Sequence, residues 1–278
     1  DRTFSGNRLI GSNMQTETKE LTLDGMTTEI SDPVSTAFGY DSMGNITTIS
    51  NDDLEIDYNF LNLPKEIKKS GTVVSKYTYL SDGSKVSSCD ADGNGYMYFG
   101  TARFTLDNDV PTFESIPFSG GRIVKTTNGY EPQYYLTDHL GSTRAIVNND
   151  GQTVAATFDY TPFGVQIVNS QMPTNSTEYR FSGKELQNIS DYEIYDFGAR
   201  RYFPKYAVWS SVDPLSENYY PITPYAYCAN NPVLFVDPNG MAWYSYWDKD
   251  EDGNDVKKYY YSETRLTEQQ RKAGRYTY

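Results

Sequence analysis

The chain has 278 residues, of which 37% are hydrophobic, and its 24 basic and 37 acidic residues give a net charge of -13. The acidic excess disfavours nucleic-acid binding, and no run approaches the ~20 apolar residues that span a bilayer. With only two cysteines, the chain cannot have a disulfide framework. With only one histidine, most metal sites and histidine-based triads are also excluded. Any catalysis should therefore rely on carboxylates, with no metal and no cofactor.

The aromatic content indicates β-structure. The chain has 26 Tyr, 13 Phe and 3 Trp residues, joined by many Thr, Val and Ile, which are residue types enriched in strands. Gly, Pro and β-branched residues interrupt every window that would otherwise suit a long helix before residue 180. The chain also begins with Asp1 and has no basic-then-apolar leader, so we expect a fragment of a longer protein.

Short repeats occupy the first third of the chain. The clearest unit runs from Tyr40 to Ile49, where Gly44 and Asn45 can form a turn between two strands. Further units follow at Tyr58 and Tyr79, at intervals of 18 and 21 residues. One hairpin of this length cannot bury its own face, so we expect the units to stack in an extended sheet.

A recognisable series of motifs begins at Tyr134 with YYLTDHLGSTR. It continues in order with DG, YTPFG, FSGKE, YDFGAR, VDPL, PYAY, NNPV and DPNG, and it covers about residues 134 to 241. Each motif is weak alone, but the ordered series resembles the core domain of the RHS/YD-repeat family, and the Tyr40 unit matches the YD repeat. The motif residues that we single out are Asp138, His139, Gly141, Gly164, Gly183, Pro214, Pro238 and Gly240.

The resemblance implies an all-β fold in three parts. Residues 1–133 would be a YD-repeat hairpin array that forms part of a spiralling β-sheet shell, residues 134–241 the RHS core that closes it, and residues 242–278 a short, mixed variable segment. In bacterial members such a shell holds a C-terminal toxin and is secreted or lies on the cell surface. Expected partners are this toxin segment, upstream repeats, and a cognate immunity protein or secretion-system component.

The resemblance also implies self-cleavage just after the Asp-Pro-x-Gly motif, at the bond between Met241 and Ala242. Hydrolysis by carboxylates needs one ionised group to activate water and a protonated group or a cation to stabilise the oxyanion. Asp213 and Asp237 are the catalytic candidates, because two aspartates in a partly dry site split their pKa values. The alternative is that both Asp-Pro pairs only form turns.

The chain departs from the family pattern near these aspartates. Self-cleaving relatives can carry an Arg directly before the first Asp, where this chain has Val212. Arg200 is a candidate for the missing cation, although an arginine among tyrosines often stacks or pairs structurally. The Asp, Gly and Arg of a second family motif are replaced by Phe203, Ala207 and Val208.

Other chemical motifs favour structural roles. His139 has no carboxylate ligands placed for a metal site, and Cys228 has no cationic or histidine neighbour to activate its thiol. The run from Asp248 to Gly253 resembles the start of a calcium loop, but Tyr259 stands where the bidentate Glu belongs. We expect an exposed charged turn there.

The segment after the junction has 37 residues, fewer than the ~40 below which chains usually need a staple or partner to fold. Its sequence predicts a hairpin from Trp243 to Tyr261, then a short helix with Thr267 as its cap and Gly274 after its end. We expect either the start of a toxin domain or a vestigial tail.

A non-enzymatic function is the alternative interpretation. The same core can cap a surface scaffold or adhesin, which Val212, Phe203 and the short tail favour. Tyrosine-rich sheets can also bind glycans by stacking sugars on their rings, although tyrosines equally suit half-buried strands.

Overall fold

Strands and turns make up nearly all of the structure, a computed structural model. It describes residues 2–5, 8–14, 34–167, 177–189, 192–218, 221–249 and 255–259. Within these ranges there is no α-helix, which confirms the expected all-β fold. Four short 3-10 helices occur, at Ser50–Asp52, Phe181–Gly183, Ser216–Asn218 and Tyr227–Asn230.

One large sheet contains 15 strands, each hydrogen-bonded to the next in chain order, so that it forms a continuous antiparallel meander. This is the stacked-hairpin arrangement that the repeats predict. The strands are β1 (Arg2–Ser5), β2 (Arg8–Met14), β3 (Val34–Tyr40), β4 (Ile46–Ile49), β5 (Leu54–Tyr58), β6 (Pro64–Lys69), β7 (Thr72–Tyr79), β8 (Lys85–Cys89), β9 (Gly95–Phe99), β10 (Ala102–Asp107), β11 (Val110–Phe118), β12 (Gly121–Thr126), β13 (Gly129–Thr137), β14 (Thr143–Val147) and β15 (Val154–Thr157).

Several hairpins share one turn, which the repeat unit predicts. The Asp41 N–H donates to the Asn45 carbonyl at 3.0 Å, and Asp41 Oδ1 accepts the Asn45 N–H at 2.8 Å. Gly44 has a φ of +86°, a left-handed conformation that glycine adopts without steric cost. Asp90 makes the same two hydrogen bonds with Asn94, and Asp138 makes them with Ser142. Asp41, Asp90 and Asp138 are therefore turn-forming residues.

Three smaller antiparallel sheets follow the large one, with two, four and three strands. The first pairs β16 (Asp159–Tyr160) with β17 (Gln166–Ile167), and the last joins β22 (Phe235–Val236), β23 (Tyr244–Lys249) and β24 (Asp255–Tyr259). Between them in sequence lie β18 (Glu185–Ile189), β19 (Tyr192–Asp196), β20 (Arg201–Phe203) and β21 (Val208–Trp209), which form the four-stranded sheet.

The main core cluster is shared by the large sheet and the four-stranded sheet. Strand β5 alternates buried Leu54 and Ile56 with exposed Glu55 and Asp57, so this strand has one apolar face. Burying each such aliphatic side chain stabilises the fold by about 1.5–3 kcal/mol. The buried residues that meet in this cluster include Ile46, Ile49, Leu54, Ile56, Ile67, Tyr192, Ile194, Phe203, Tyr206 and Val208.

A second cluster is aromatic and surrounds β20 and β21. The rings of Tyr202 and Tyr227 stack with their centroids 4.2 Å apart, and Phe197 meets Trp209 edge-on at 4.9 Å. All four residues are buried. Each aromatic pair of this kind stabilises the fold by about 0.5–1.5 kcal/mol beyond the effect of burying its surface. The cluster therefore stabilises the positions of β20 and β21.

The motif series and the sheet have different boundaries. The predicted junction between residues 133 and 134 lies inside β13, and the large sheet continues to the end of β15. The reason is that the motif residue Asp138 forms the turn between β13 and β14, the same turn that the repeats use. The first core motif is therefore built as one more hairpin of the large sheet.

The start of the C-terminal segment pairs with the core. Strand β23 pairs with β24 as an antiparallel hairpin, as the sequence predicted, and Tyr244 of β23 lies opposite Val236 of β22. Asp248 and Lys249 of the predicted charged turn belong to β23, while the rest of that turn and the predicted helix near Thr267 lie outside the described residues.

Candidate functional site

The two candidate aspartates are both buried, with 3% of Asp213 and 1% of Asp237 exposed. Each stands after a short strand of the core, β21 or β22, and directly before a proline. Asp213 Oδ1 accepts the Leu215 N–H at 2.7 Å, and Asp237 Oδ1 accepts the Gly240 N–H at 2.7 Å. Both Asp-Pro pairs therefore form turns, as the alternative interpretation expected. In these turns, Oδ1 of each carboxyl group accepts the backbone hydrogen bond.

The second oxygens meet at Arg200. Its Nη2 lies 2.5 Å from Asp213 Oδ2 and 3.5 Å from Asp237 Oδ2. The structure therefore brings together three residues that the sequence proposed from separate motifs. Since a buried charge is costly without a partner, one guanidinium between two carboxyl groups explains how all three stay buried.

Two backbone carbonyls and an aromatic ring also contact the Arg200 guanidinium. Its Nε donates to the Gly240 carbonyl at 2.5 Å and its Nη1 to the Pro224 carbonyl at 3.0 Å. Its guanidinium carbon lies 4.1 Å from the centroid of the Trp209 ring, so the structural stacking foreseen for this arginine also occurs. These contacts fix the plane and direction of the guanidinium.

The environment of Asp237 shifts its proton affinity. Burial raises the pKa of Asp237 to about 6, against the lowering effects of Arg200 and of the backbone N–H groups of Asn239 and Gly240. Asp213 adds a further raising effect through its nearby charge. A carboxyl group with a pKa in this range can hold a proton close to neutral pH and donate it.

The predicted junction lies beside these groups. Met241 and Ala242 occupy the loop between β22 and β23, directly after the Asp237 turn. The Met241 N–H donates to Asp237 Oδ1 at 3.3 Å and to Asn239 Oδ1 at 3.2 Å. Gly240 has a φ of +75°, and a Cβ there would lie 3.1 Å from the backbone nitrogen of Arg200. Both observations explain why glycine precedes the junction.

The departures from the family pattern have structural consequences. Val212 lies against the Gly44 turn and packs on the core cluster shared with the large sheet. Phe203 and Val208 are buried in the same cluster. Ala207 has a φ of +55° where the family has glycine, a conformation that costs an alanine roughly 1–2 kcal/mol.

The remaining motif residues hold turns and contacts together. Gly141 is in the Asp138 turn, with a φ of +80°, and Gly164, with a φ of +87°, lies against the Phe181 ring. His139 Nε2 lies 3.2 Å from the Val233 carbonyl oxygen, on the outside of the molecule. Gly183 ends the 3-10 helix Phe181–Gly183, and Pro214 and Pro238 follow the two aspartates.

The other chemical candidates look structural. Cys228 is fully buried and burial raises the pKa of its thiol well above the usual value, which keeps the thiol protonated. Burial likewise raises the pKa of Cys89. In the part of the chain that the structure describes, no group of three or more His, Cys, Asp or Glu residues is arranged to hold a metal ion.

The sequence did not point to a second buried ionic cluster, which joins the large sheet to the core. Lys85 Nζ lies 2.5 Å from Glu185 Oε2 and 2.7 Å from Asp196 Oδ2, and Arg201 Nη1 lies 2.6 Å from Asp196 Oδ1. Burial raises the pKa of Asp196, but Arg201 and Lys85 outweigh it and lower the value to about 2. Because Lys85 is about a hundred residues from Glu185 and Asp196 in sequence, no local signal predicts its place in this cluster.

A cavity of about 650 Å³ lies apart from the aspartates. Tyr98, Phe118, Tyr135 and Tyr179 contribute rings to its wall. Neither candidate aspartate nor Arg200 lines it. The cavity is therefore separate from the aspartate site.

Comparisons with known proteins agree with the fold. No protein-family model matches the chain. The chain is 36% identical over 112 residues to Salivary gland surface protein 1 of Aedes aegypti, covering 39% of this chain and 3% of that protein. It is 29% identical over 180 residues to the tRNA3(Ser)-specific nuclease WapA of Bacillus spizizenii, covering 59% of this chain and 7% of the nuclease.

A solved structure shows the same fold. The Tc holotoxin pore of Photorhabdus luminescens matches with a TM-score of 0.60 and 18% identity, over 82% of this chain and 13% of that chain. The chain thus shares its all-β fold with a segment of a Tc holotoxin chain, in line with the RHS-type resemblance. It spans only a small part of each of these proteins. No helix among the described residues is long and apolar enough to cross a membrane.

Proposed function

We propose that the chain is the closing part of a secreted or surface-exposed RHS shell that encloses a C-terminal segment, and that it cuts its own backbone after Met241. The observation that carries the cleavage proposal is the meeting of Asp213 and Asp237 at Arg200, beside the loop that contains the junction. The fold shared with a Tc holotoxin chain supports the shell. Partners would be the enclosed segment, the upstream repeats, and an immunity protein or secretion component.

The two carboxyl groups have different roles in this proposal. Asp213, which forms the shorter ion pair with Arg200, accepts a proton from a water molecule as its oxygen attacks the Met241 carbonyl carbon. Asp237, with its raised pKa, donates its proton to the Ala242 nitrogen as the carbon–nitrogen bond breaks. The products are a Met241 carboxylate and an Ala242 amine.

The strands on either side of the junction support retention of the cut segment. Phe235 lies opposite Ser245, and Val236 lies opposite Tyr244, so β22 and β23 remain paired when the loop between them is open. In this proposal the cut leaves the C-terminal segment bound by main-chain hydrogen bonds rather than released at once.

The test is the intact mass of the full-length protein under denaturing conditions. We expect the parent to be cut between Met241 and Ala242, and an Asp213→Asn variant to remain whole. Asp196→Asn is the matched control, because Asp196 is a paired carboxylate of the same core that does not contact Arg200, and we expect this variant to be cut.

Other outcomes contradict the proposal. Cleavage of the Asp213→Asn variant at the same bond indicates an external protease. Breaks at Asp213–Pro214 or Asp237–Pro238 indicate acid-labile Asp-Pro bonds. A folded parent that stays whole removes the self-cleavage and leaves the shell alone.

A non-enzymatic surface scaffold or adhesin is the second candidate. One curated relative is named as a surface protein, and both aspartates already serve as turn residues. Glycan binding is a further form of this candidate, with Tyr130 and Tyr134 as exposed rings. An uncut, folded parent that binds a glycan array, with binding lost in Tyr130→Ala, favours it.

A further inference from the structure

The cavity of about 650 Å³ brings together motif residues that the proposed cleavage site does not use. Asp138, His139 and Gly141 belong to the first core motif, and Gly183 belongs to the later FSGKE motif. All four line the cavity, whereas the candidate aspartates do not. Two separate motifs therefore meet at a cavity that self-cleavage does not require.

Three turns of the large sheet form one side of this cavity. The connections β9 to β10, β11 to β12 and β13 to β14 lie at the same end of the strands, because every second turn of a meander does. They contribute Gly100, Ser119, Gly120 and Asp138, among others. The cavity is therefore built on rigid hairpins.

The 3-10 helix Phe181–Gly183 is hydrogen-bonded to the last of these turns. The Ser182 N–H donates to Ser142 Oγ at 2.9 Å, and the Thr143 N–H donates to the Arg180 carbonyl at 3.0 Å. Both segments contribute residues to the lining. These hydrogen bonds hold the two walls together, so the cavity is preformed, as small-molecule sites usually are.

The charge of the lining favours a cation. Among the described residues that line the cavity, Asp138 is the one carboxylate, and there is no lysine or arginine. The turn hydrogen bonds of Asp138 use Oδ1, and none of the ion pairs in the described part of the chain includes it. Since the chain also carries a net charge of -13, a positively charged ligand gains electrostatic energy here.

The aromatic rings of the wall suit the same kind of ligand. Lys85 Nζ lies 4.5 Å from the centroid of the Tyr98 ring, and the guanidinium carbon of Arg103 lies 5.9 Å from that of Tyr179. Two rings of the wall therefore already attract cations. Both cations are paired with Glu185 and neither lines the cavity.

We infer that this cavity binds a quaternary ammonium group, the trimethylammonium head that choline carries, with Asp138 and the rings of Phe118, Tyr135 and Tyr179 as its contacts. This inference goes beyond the proposed function and does not depend on self-cleavage. The same head group occurs in free choline and in the headgroup of phosphatidylcholine.

The wall favours a quaternary over a primary ammonium group. A primary ammonium brings three N–H donors, each of which needs an acceptor once it leaves water. A quaternary ammonium has no N–H group and presents methyl groups that pack on aromatic rings while its charge is attracted to their faces. A wall of rings with one carboxylate therefore suits the methylated cation.

The experiment is a calorimetric titration of the full-length protein with choline. Two comparison ligands are ethanolamine, a primary ammonium, and the neutral alcohol in which a tert-butyl group replaces the trimethylammonium group. We expect saturable choline binding with a dissociation constant of about 1 mM or lower. The other two ligands should bind about tenfold more weakly or worse.

An Asp138→Asn variant tests the carboxylate. Asparagine keeps the Oδ1 acceptor of the turn and loses the charge, so we expect choline binding to weaken by about 5- to 30-fold. Asp90→Asn is the matched control, because Asp90 makes the same turn outside this cavity, and its affinity should equal that of the parent.

A second pair of variants tests the aromatic wall. Phe118 is 37% exposed, so Phe118→Leu should fold like the parent, which its thermal unfolding midpoint checks. We expect it to bind choline about threefold or more weakly. Tyr130→Leu removes an exposed ring outside the cavity and should have no effect.

The source of the head group is tested with phosphatidylcholine vesicles. Sedimentation of the parent with these vesicles, but not of Asp138→Asn, identifies a lipid headgroup, whereas choline binding without sedimentation identifies a free small molecule. A folded parent without saturable choline binding would overturn the inference. Equal affinity for choline and either comparison ligand, or equal losses in Asp138→Asn and Asp90→Asn, would also overturn it.

Discussion

At the scale of single residues, the site depends on how three buried charges share one environment. Arg200 is paired with Asp213 at 2.5 Å and lies farther from Asp237, at 3.5 Å. Asp237 therefore receives less compensation for its burial, and its pKa rises to about 6. In the proposed mechanism, this unequal sharing gives the two aspartates different roles.

The pH dependence of cleavage follows from this difference. If protonated Asp237 is the acid, the parental rate should be level below about pH 6 and fall roughly tenfold per pH unit above it. The sign is set by the raised pKa, because the proton that Asp237 must donate is lost as the pH rises. The measurement is the cleavage rate of freshly translated protein between pH 5 and 8. A rate that rises through this range would contradict the assignment.

Sequence motifs predicted only some of these residues. The Asp-Pro motifs singled out Asp213 and Asp237, because an ordered motif series carries information that single residues do not. The sequence also offered Arg200 as a candidate for the missing cation. Its contacts with Gly240 and Trp209 did not follow, since they depend on how strand connections cross in three dimensions.

At the scale of elements, the ionic cluster around Lys85 joins strand β8 of the large sheet to β18 and β19 of the core. Lys85 is paired with Glu185 and Asp196, and its side chain is 11% exposed. Tyr98 also donates a hydrogen bond to Glu185. The cluster contributes specificity of docking, because misplacing the two sheets would leave buried charges without partners.

Removal of Lys85 tests this role. We expect Lys85→Met to lower the stability of the fold by about 3–5 kcal/mol, because it leaves two buried carboxylates with less compensation. The measurement is the thermal unfolding midpoint at pH 7. Lys68→Met is the control, since Lys68 forms partly exposed pairs with Asp57 and Glu66 and its loss should leave the midpoint unchanged. Equal effects of the two substitutions would contradict the docking role.

Acid should act on the same cluster. Asp196 has a pKa of about 2 in the folded chain and an ordinary value of 3.8, so its stabilising effect is complete above pH 3.8 and is lost as the pH falls towards 2. Lys85 is one of the groups that lower this pKa. The Lys85→Met variant should therefore begin to unfold at a higher pH than the parent in an acid titration.

At the scale of the whole molecule, hydrogen bonds and a shared core cluster join the predicted repeat region to the predicted core region. The Ile46 N–H donates to the Ser210 carbonyl at 2.7 Å, and the Tyr225 hydroxyl donates to the Gly44 carbonyl at 2.6 Å. The main core cluster also takes residues from both parts. The main core cluster is therefore incomplete in either part alone.

Separating the parts should destroy this core. We expect residues 134–241 expressed alone to aggregate and bind a hydrophobic dye, because β13 is cut and the partners of Tyr192, Ile194 and Phe203 are missing. Residues 34–259 serve as the control and should remain folded. Size-exclusion chromatography and limited proteolysis make the comparison. A compact, protease-resistant 134–241 piece would show that the motif boundary is also a folding boundary.

The large-scale architecture was the most predictable level. Turn residues and alternating strands are local signals, so Gly44, Asn45 and the repeat spacing predicted the hairpin array. The extent of the large sheet was not predictable, because the Asp138 turn uses the same local chemistry as the repeats and the motif series gives no sign of it. The packing of β19 and β20 on the first hairpins is a long-range contact without a local signal.

The central claim is that buried Asp213 and Asp237 cut the chain that contains them. The most direct measurement is the N-terminal sequence and intact mass of the C-terminal piece from denatured full-length protein. We predict that the piece begins with Ala242-Trp243 in the parent and is absent from the Asp237→Asn variant. A piece with the same N-terminus in both proteins, or a folded parent without any such piece, would contradict the claim.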